Sequence, residues 1–174
     1  METIRLVTMD DAEELTALLV RNRRFLAPWE PLHDDDHFTL AVQRALLESA
    51  LTDHGNGRRL PLVILDGGRI VGRLSLSGIT RGGLQSAAVG YWVAADSNGR
   101  GLATRALAEA VELAFGELNL HRLQAETLPE NAASQRVLER NGFTRFGVAP
   151  EYLRIAGKWR DHHLFHRINR DWQP

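Results

Sequence analysis

The stretch best suited to chemistry is Asp96–Thr104, which reads DSNGRGLAT. An alternating apolar run over residues 87–95 precedes it and an apolar-periodic segment over residues 102–118 follows, so a predicted strand passes into a predicted helix here. The first turn of a helix has backbone N–H groups without internal partners and carries partial positive charge. Because Gly99 and Gly101 lack a Cβ, a bulky anion can approach that backbone closely. The stretch predicts either a phosphate site or a turn that needs glycine only for its geometry.

The sequence excludes the P-loop, the dinucleotide-binding fingerprint and any chemistry that needs a cysteine. No Gly-x-x-x-x-Gly-Lys-Ser/Thr occurs, and a dinucleotide fingerprint would need its third glycine where the chain has Thr104. The chain has no cysteine, which excludes disulfides, thiolate–zinc sites and any thioester formed on the enzyme.

The composition is that of one soluble globular domain, residues 1–174, with 44% hydrophobic and 25% charged residues. The formal net charge of −1 gives no overall attraction to nucleic acid or to anionic lipid. Residues 1–5 lack the apolar core of a signal peptide, and no apolar run approaches the roughly 18 residues that span a bilayer. We therefore expect a cytoplasmic protein with neither a membrane nor a direct nucleic-acid partner.

The first third of the chain predicts a short strand and two helices. Thr8–Asp11 matches a capping box for a helix over residues 9–22, and the two prolines in residues 25–31 prevent its continuation. Asp34–Asp36 place negative charge at the start of a second helix, which ends near Gly55. The expected buried face of the second helix comprises Phe38, Val42, Ala45, Leu46 and Ser49.

The rest of the chain predicts strands interrupted by two helices. Residues 60–64 and 70–77 alternate around Asp66–Gly68, a strong hairpin signal. Beyond the helix at 102–118, we expect strands over 122–127 and 143–148, a helix over 131–141, and a hairpin of 152–155 with 159–168. The order β-α-α-β-β-β-α-β-α-β-β predicts an α/β fold, with a mixed sheet and helices on both faces.

Two motifs that occur together carry a resemblance to a known family. The first is Asn98–Ala103 after a strand, and the second is Asn131–Ser134 followed by Val137–Phe143. With the element order, they resemble the GCN5-related N-acetyltransferase (GNAT) superfamily over essentially the whole chain. Residues 22–31 and 152–162 look like those of RimJ-type ribosomal-protein alanine N-acetyltransferases. The resemblance implies the GNAT acyl-CoA N-acyltransferase fold and acetyl transfer from acetyl-CoA to a primary amine, most of all a protein N-terminal α-amine.

The resemblance also implies a cofactor site. The backbone of Tyr91–Val93 would pair with the pantetheine amides, and the loop would hold the pyrophosphate. The implied cofactor-binding residues are Tyr91, Trp92, Val93, Asn98, Gly99, Arg100, Gly101, Leu102, Ala103, Thr104, Asn131 and Ser134. Asn98 departs from the Gln or Arg usual in the family. Leu138 stands where many members have a tyrosine acid, and RimJ-like relatives use a serine at the position of Ser134.

The residues also constrain the reaction. A protein α-amine titrates near 7.7–8.0, so about a tenth or more is neutral at neutral pH and no strong base is required. Without cysteine, direct transfer in a ternary complex is favoured over a double displacement. Ser134 is the candidate donor to the leaving thiolate. Glu126 and Glu30 are candidate bases, with solvated surface carboxylates as the alternative. Trp29, Glu30 and Tyr91 are the candidate acceptor-binding residues.

Several alternatives stay open at this point. The acceptor could be a polyamine, an aminoglycoside or an amino acid; the chain could be a non-catalytic CoA-binding regulatory module or a protein whose glycine loop holds ATP. The protein could also form a homodimer. Trp29 and Trp92 could pack in the core instead of lining the acceptor site. We predict no metal site, since ordinary structural roles are favoured for His33, His37, His162, His163 and His166. A solvated face is favoured for Arg21, Arg23 and Arg24 over contact with the cofactor's 3′-phosphate or a ribosomal partner.

Overall fold

The computed structural model describes residues 3–174, which form seven strands and four helices in the predicted order. The elements are β1 Ile4–Leu6, α1 Ala12–Leu26, α2 Leu40–Gly55, β2 Leu60–Asp66, β3 Arg69–Thr80, β4 Ser86–Val93, α3 Leu102–Phe115, β5 Arg122–Thr127, α4 Ala132–Arg140, β6 Thr144–Ile155 and β7 Lys158–Ile168. The strands form one mixed sheet in the order β1-β2-β3-β4-β5-β7-β6.

Helices cover both faces of the sheet, as the element order predicts. On one face, a core of α3, α4 and the central strands includes Leu74, Leu107 and Phe165. On the other face, α1 and α2 pack over the β1–β3 half around Val63 and Leu47. On that same face, β3, β5 and β7 carry Arg73, Glu126 and His162.

The parallel pair at the centre of the sheet is short. Strands β4 and β5 pair only over Ser86–Ala88 and Arg122–Gln124, although β4 continues to Val93 and β5 to Thr127. Their unpaired ends leave backbone N–H and C=O groups without sheet partners. A cavity lies between these ends, so the sheet is open at its middle.

Glycine is required where β3 crosses close to β4. A Cβ built on Gly72 would lie 2.2 Å from the Trp92 carbonyl oxygen, a backbone atom of the neighbouring strand. We expect Gly72→Ala to lower the free energy of unfolding by about 1–3 kcal/mol, since the strands must separate to admit the methyl group. Denaturant unfolding measures this change. Gly90→Ala is the matched strand control, because no atom of the described residues lies within 4 Å of its built Cβ. Equal losses in the two variants would contradict the prediction.

The first helix differs from the predicted span of residues 9–22. The capping box is present, with the Asp11 carboxylate accepting the Thr8 N–H at 2.8 Å, but Met9–Asp11 form a short 3-10 turn and α1 continues to Leu26. Ala27 still donates its N–H to the Arg23 carbonyl at 3.0 Å. The helix therefore continues past Phe25 and ends at Leu26, two residues before Pro28, whose missing N–H and ring clash prevent a further turn.

The predicted buried face of α2 was wrong. Asp35–Phe38 form a separate 3-10 turn, and α2 begins after Thr39, whose hydroxyl accepts the Val42 N–H. The buried residues are Gln43, Leu47 and Ala50, whereas Ala45, Leu46 and Ser49 are exposed. The apolar residues of α2 lie on all sides of the helix, so their periodicity does not predict which face is buried. Packing against β2 and α1 determines the buried face.

The predicted break after residue 148 was also wrong. Residues 144–155 form one strand with bulges between Arg145 and Gly147 and between Ala149 and Leu153. Pro150 is tolerated because β6 is the outer strand of the sheet, where a missing N–H breaks no ladder. The result is a long β6–β7 hairpin that reaches the cavity.

Candidate active site

The glycine loop after β4 has an open backbone surface. Gly99 and Gly101 have positive φ angles of 76° and 74°, a conformation that disfavours larger residues. Among residues 3–174, nothing lies within 4 Å of a Cβ built on Gly99, so this side of the loop is open toward the described part of the chain. Gly101 caps α3 without a side-chain hydrogen bond, which leaves the first N–H groups of the 14-residue helix free. The geometry is that of an anion cradle made of main-chain donors.

Side chains around the loop hold its shape. The Asn98 amide donates to the carbonyls of Val93 and Ala94 at 3.1 and 3.0 Å, which turns it back toward the end of β4. The Arg100 guanidinium forms an ion pair with Asp66 at 2.6 Å. Asn98, which stands where the family usually has Gln or Arg, therefore has a structural role, because its amide holds the shape of the loop.

The second motif is physically connected to the first. The buried Asn141 amide donates to the Thr104 carbonyl in the first turn of α3, at 3.1 Å, and to the Val137 carbonyl at 2.9 Å. At the other end of α4, the Asn131 side chain accepts the Ser134 N–H at 3.1 Å. Asn141 of the second motif therefore helps to hold the first turn of α3, the helix that follows the glycine loop of the first motif.

We expect Asn141→Ala to lower the free energy of unfolding by about 1–3 kcal/mol, because the Thr104 and Val137 carbonyls lose a donor supplied by a buried amide. The displaced α3 terminus should also weaken acetyl-CoA binding, which titration calorimetry measures. Asn56→Ala is the control, since Asn56 is an exposed C-cap residue. Unchanged affinity for acetyl-CoA in a stable Asn141→Ala variant would show that the link does not shape the cradle.

A cavity of about 410 Å³ passes between β4 and β5 and joins the two faces of the sheet. Gly90–Trp92 line one strand of the gap and Ala125–Thr127 line the other. The α4 side contributes Asn131, Ser134 and Leu138. The opposite face contributes Trp29, Glu30, Arg59, Arg73, Trp92, Glu126 and His162. All the predicted catalytic and acceptor residues thus meet here, whereas Val93 and the glycine loop lie outside this cavity, at the end of β4.

A hydroxyl pair stands on the α4 side of the gap. The Tyr91 hydroxyl lies 3.0 Å from the Ser134 Oγ. Burial raises the pKa of Tyr91 to about 12, so the phenol keeps its proton at neutral pH and can donate to Ser134. Leu138, at the usual tyrosine position, is fully buried in the core. The sequence did not reveal the Tyr91–Ser134 contact, because it joins β4 to α4 across the gap.

Two carboxylates face the opposite side. Burial raises the pKa of Glu126, and the neighbouring His162 opposes that rise. Burial also raises the pKa of Glu30, and Arg73 opposes it. Because a base works best when its pKa approaches the operating pH, both shifts favour proton uptake over a purely solvated role. The half-buried Trp92 contacts both the cavity and the α1–α2 core.

Sequence reasoning missed the part that Arg59, Arg73 and His162 play in this cavity. His162 is only 3% exposed, and its Nδ1 lies 2.9 Å from the Arg160 carbonyl. The strand register, with Glu126 opposite Leu164, puts His162 and Glu126 on one face of the sheet. The alternation of side chains along each strand could have predicted which residues share a face of that strand. It could not predict which strands are neighbours in the sheet.

Within residues 3–174, no group of three or more His, Asp or Glu side chains is arranged to hold a metal ion. None of the helices in that range is both long and apolar enough to cross a membrane.

Comparison with known proteins assigns the chain to a class. Residues 3–144 match the family model of the acetyltransferase (GNAT) domain. The chain is 34% identical over 173 residues to the ribosomal protein uS5-alanine N-acetyltransferase of Escherichia coli, covering 98% of this chain and 89% of the relative. It is 34% identical over 170 residues to the probable N-acetyltransferase YjcK of Bacillus subtilis, covering 97% and 94%.

Solved structures agree with this assignment. The ribosomal-protein-S5-alanine acetyltransferase of Vibrio fischeri superposes with a TM-score of 0.95 at 35% identity, covering 100% of this chain and 97% of the other. Mycobacterium smegmatis RimJ, solved in complex with CoA-disulfide, superposes with a TM-score of 0.93 at 34% identity, covering 98% and 83%. The fold and the comparisons therefore define an acetyl-CoA-dependent N-acetyltransferase. The chain belongs to the GNAT family, with RimJ-type proteins among its relatives, and the predicted resemblance, fold and co-substrate are confirmed.

Proposed function

We propose that this protein acetylates the N-terminal α-amine of a protein, with an alanine terminus as the first acceptor to test. The observation that carries the proposal is the cavity through the sheet, with hydroxyl donors on its α4 side and carboxylates on the other. The relatives at 34–35% identity named as uS5- or S5-alanine acetyltransferases support the choice of acceptor. Residues 1–174 would act as one N-acetyltransferase domain.

In this proposal the glycine loop and α3 bind the pyrophosphate of acetyl-CoA through backbone N–H groups. The unpaired backbone of Tyr91–Val93 binds the pantetheine arm, and Asn131 contacts the arm at the start of α4. These elements lie on the α4 side, so the thioester would reach the gap from there. The acceptor amine enters from the opposite face, past Trp29 and Glu30.

The chemistry follows from that placement. Glu126, or Glu30 in its place, removes a proton from the ammonium, and the neutral amine attacks the thioester carbonyl. The N–C bond forms as the C–S bond breaks, and the nitrogen gives up its second proton to water. Ser134 Oγ–H protonates the leaving thiolate, Tyr91 O–H passes its proton to Ser134 Oγ, and Tyr91 recovers a proton from water. Both substrates must be present together, because the chain has no cysteine to hold the acetyl group between half-reactions.

Thiol release with acetyl-CoA and an Ala-starting peptide tests the proposal. We expect release with one acetyl group added to the α-amine, located by fragmentation mass spectrometry, and no release with the N-acetylated peptide as control. Intersecting double-reciprocal lines should accompany it. Acetyl-CoA binding without turnover of any amine would replace the proposal with a regulatory module, and turnover of spermidine but not of the peptide would replace it with a small-amine enzyme.

A further inference from the structure

The acceptor side of the cavity contains an arginine that no role yet explains. Arg73 lies on β3 opposite Trp92 of β4, and this register places its side chain on the same face of the sheet as Trp92, Ser75 and Gly90. It lines the cavity together with Arg59 and Glu30. Arg73 therefore stands in the wall that an acceptor must pass before its amine reaches the gap.

The guanidinium of Arg73 is held there without a close partner. Within residues 3–174, no carboxylate oxygen lies within 4 Å of it and its side chain makes no hydrogen bond. It is only partly exposed, so it has lost much of its water. Burial and the like charge of Arg59 both lower the pKa of Arg73, and Glu30 opposes them only in part. A desolvated cation without hydrogen-bond acceptors is costly unless a ligand supplies them.

The charges around it limit the kind of ligand. Two arginines and two carboxylates, Glu30 and Glu126, line the acceptor side with His162, so the wall is not predominantly acidic. A polyamine or an aminoglycoside would meet Arg59 and Arg73 with like charge. An amine whose neighbouring carbon carries a carbonyl or carboxylate oxygen instead offers acceptors to the guanidinium, which has five donors in a planar fork.

From these observations we infer that Arg73 binds the oxygen of the carbonyl group adjacent to the acceptor α-amine and so selects α-amino-acyl acceptors over simple amines. The inference rests on the proposed function, in which the acceptor is a peptide and this oxygen belongs to its first peptide carbonyl. The same chemistry is present in a free amino acid, whose carboxylate would take both arms of the fork. Arg73 acts as a specificity residue: it orients the acceptor and takes no part in proton transfer.

The test compares two acceptors that differ only at their first peptide bond. One is an Ala-starting peptide, and the other is the same peptide with that bond replaced by a trans-alkene, which keeps the geometry and removes the carbonyl oxygen and the amide N–H. We expect the wild-type protein to prefer the carbonyl peptide about 10–100-fold in kcat/KM, mostly through KM, since the contact exists before the chemical step. Arg73→Met should abolish most of this preference by raising KM for the carbonyl peptide about 10–100-fold. Arg69→Met, on the exposed start of the same strand, is the matched control and should keep the preference.

The outcomes separate this inference from the proposed function. Peptide acetylation with the carbonyl preference intact in Arg73→Met overturns the role of Arg73 and leaves the function standing. Acetylation of free alanine in place of the peptide, lost in Arg73→Met, supports Arg73 and overturns the protein acceptor. Turnover of spermidine in place of either acceptor overturns both. If Arg73→Met does not fold, the wild-type comparison decides, because equal kcat/KM for the carbonyl and alkene peptides overturns the role of Arg73.

Discussion

Glu126→Gln should lower kcat/KM for an Ala-starting peptide about 100-fold near pH 6, because only about one or two hundredths of an α-amine with a pKa of about 7.7–8.0 is neutral there without a base. Glutamine keeps the shape and the burial of the side chain but cannot take up a proton. Because burial raises the pKa of Glu126, the wild-type activity should fall with decreasing pH through a value above that of an ordinary glutamate. That limb reports the loss of the ionised base, so it should be absent in the variant.

The deficit of Glu126→Gln should shrink as pH rises. An α-amine with a pKa of about 7.7–8.0 is already neutral in strongly alkaline solution and then needs no base. The pH profile of kcat/KM for both proteins measures this, with Glu139→Gln, an exposed carboxylate on α4, as control. A loss of less than about tenfold at every pH would make Glu126 a bystander and pass the role to Glu30, which Glu30→Gln tests directly.

Ser134→Ala should lower kcat about 100-fold with little change in KM, because the hydroxyl is needed only as the thiolate leaves. Its Oγ is the hydroxyl at the N-terminal end of α4, 3.0 Å from the Tyr91 phenol. Tyr91→Phe should cost less than Ser134→Ala, since the serine proton is still available without the phenol behind it. Steady-state kinetics with saturating acetyl-CoA measures both effects.

The Ser134 prediction has two internal checks. Ser49→Ala, at an exposed serine of α2, should leave kcat unchanged. A kcat for Tyr91→Phe far below that of Ser134→Ala would reverse the assignment, because the phenol would then be the proton donor and the serine its support. The retained helix cap at Asn131, whose oxygen accepts the Ser134 backbone N–H, keeps α4 in place in both variants.

The cofactor half of the proposed site rests on local structure. A strand, a glycine turn and a helix form one continuous segment, so the sequence located the junction, and the family resemblance interpreted it as a phosphate site. The second motif could be located equally well, with the α4 cap at Asn131 and a positive φ of 73° at Gly142 after its end. The errors, in the face of α2 and the continuity of β6, fell where the local pattern was ambiguous and packing decided.

The acceptor half could not be predicted in the same way. Glu30, Arg73, Glu126 and His162 come from the α1–α2 loop, β3, β5 and β7, and only the sheet order brings them to one cavity. The Ala156 N–H donates to the Glu30 carbonyl at 2.9 Å, so even the closure of that loop depends on the distant β6–β7 hairpin. No spacing along the chain encodes such contacts.

The sequence by itself determined the family, the fold class and the co-substrate, because contiguous motifs and the order of elements carry the resemblance, and it predicts a phosphate site at Asn98–Ala103. Only the tertiary structure decided the opening between β4 and β5, the Tyr91–Ser134 pair and the charges that face the acceptor. The physical reason is that a helix terminus forms from neighbouring residues, whereas a cavity through a sheet exists only once distant strands have paired.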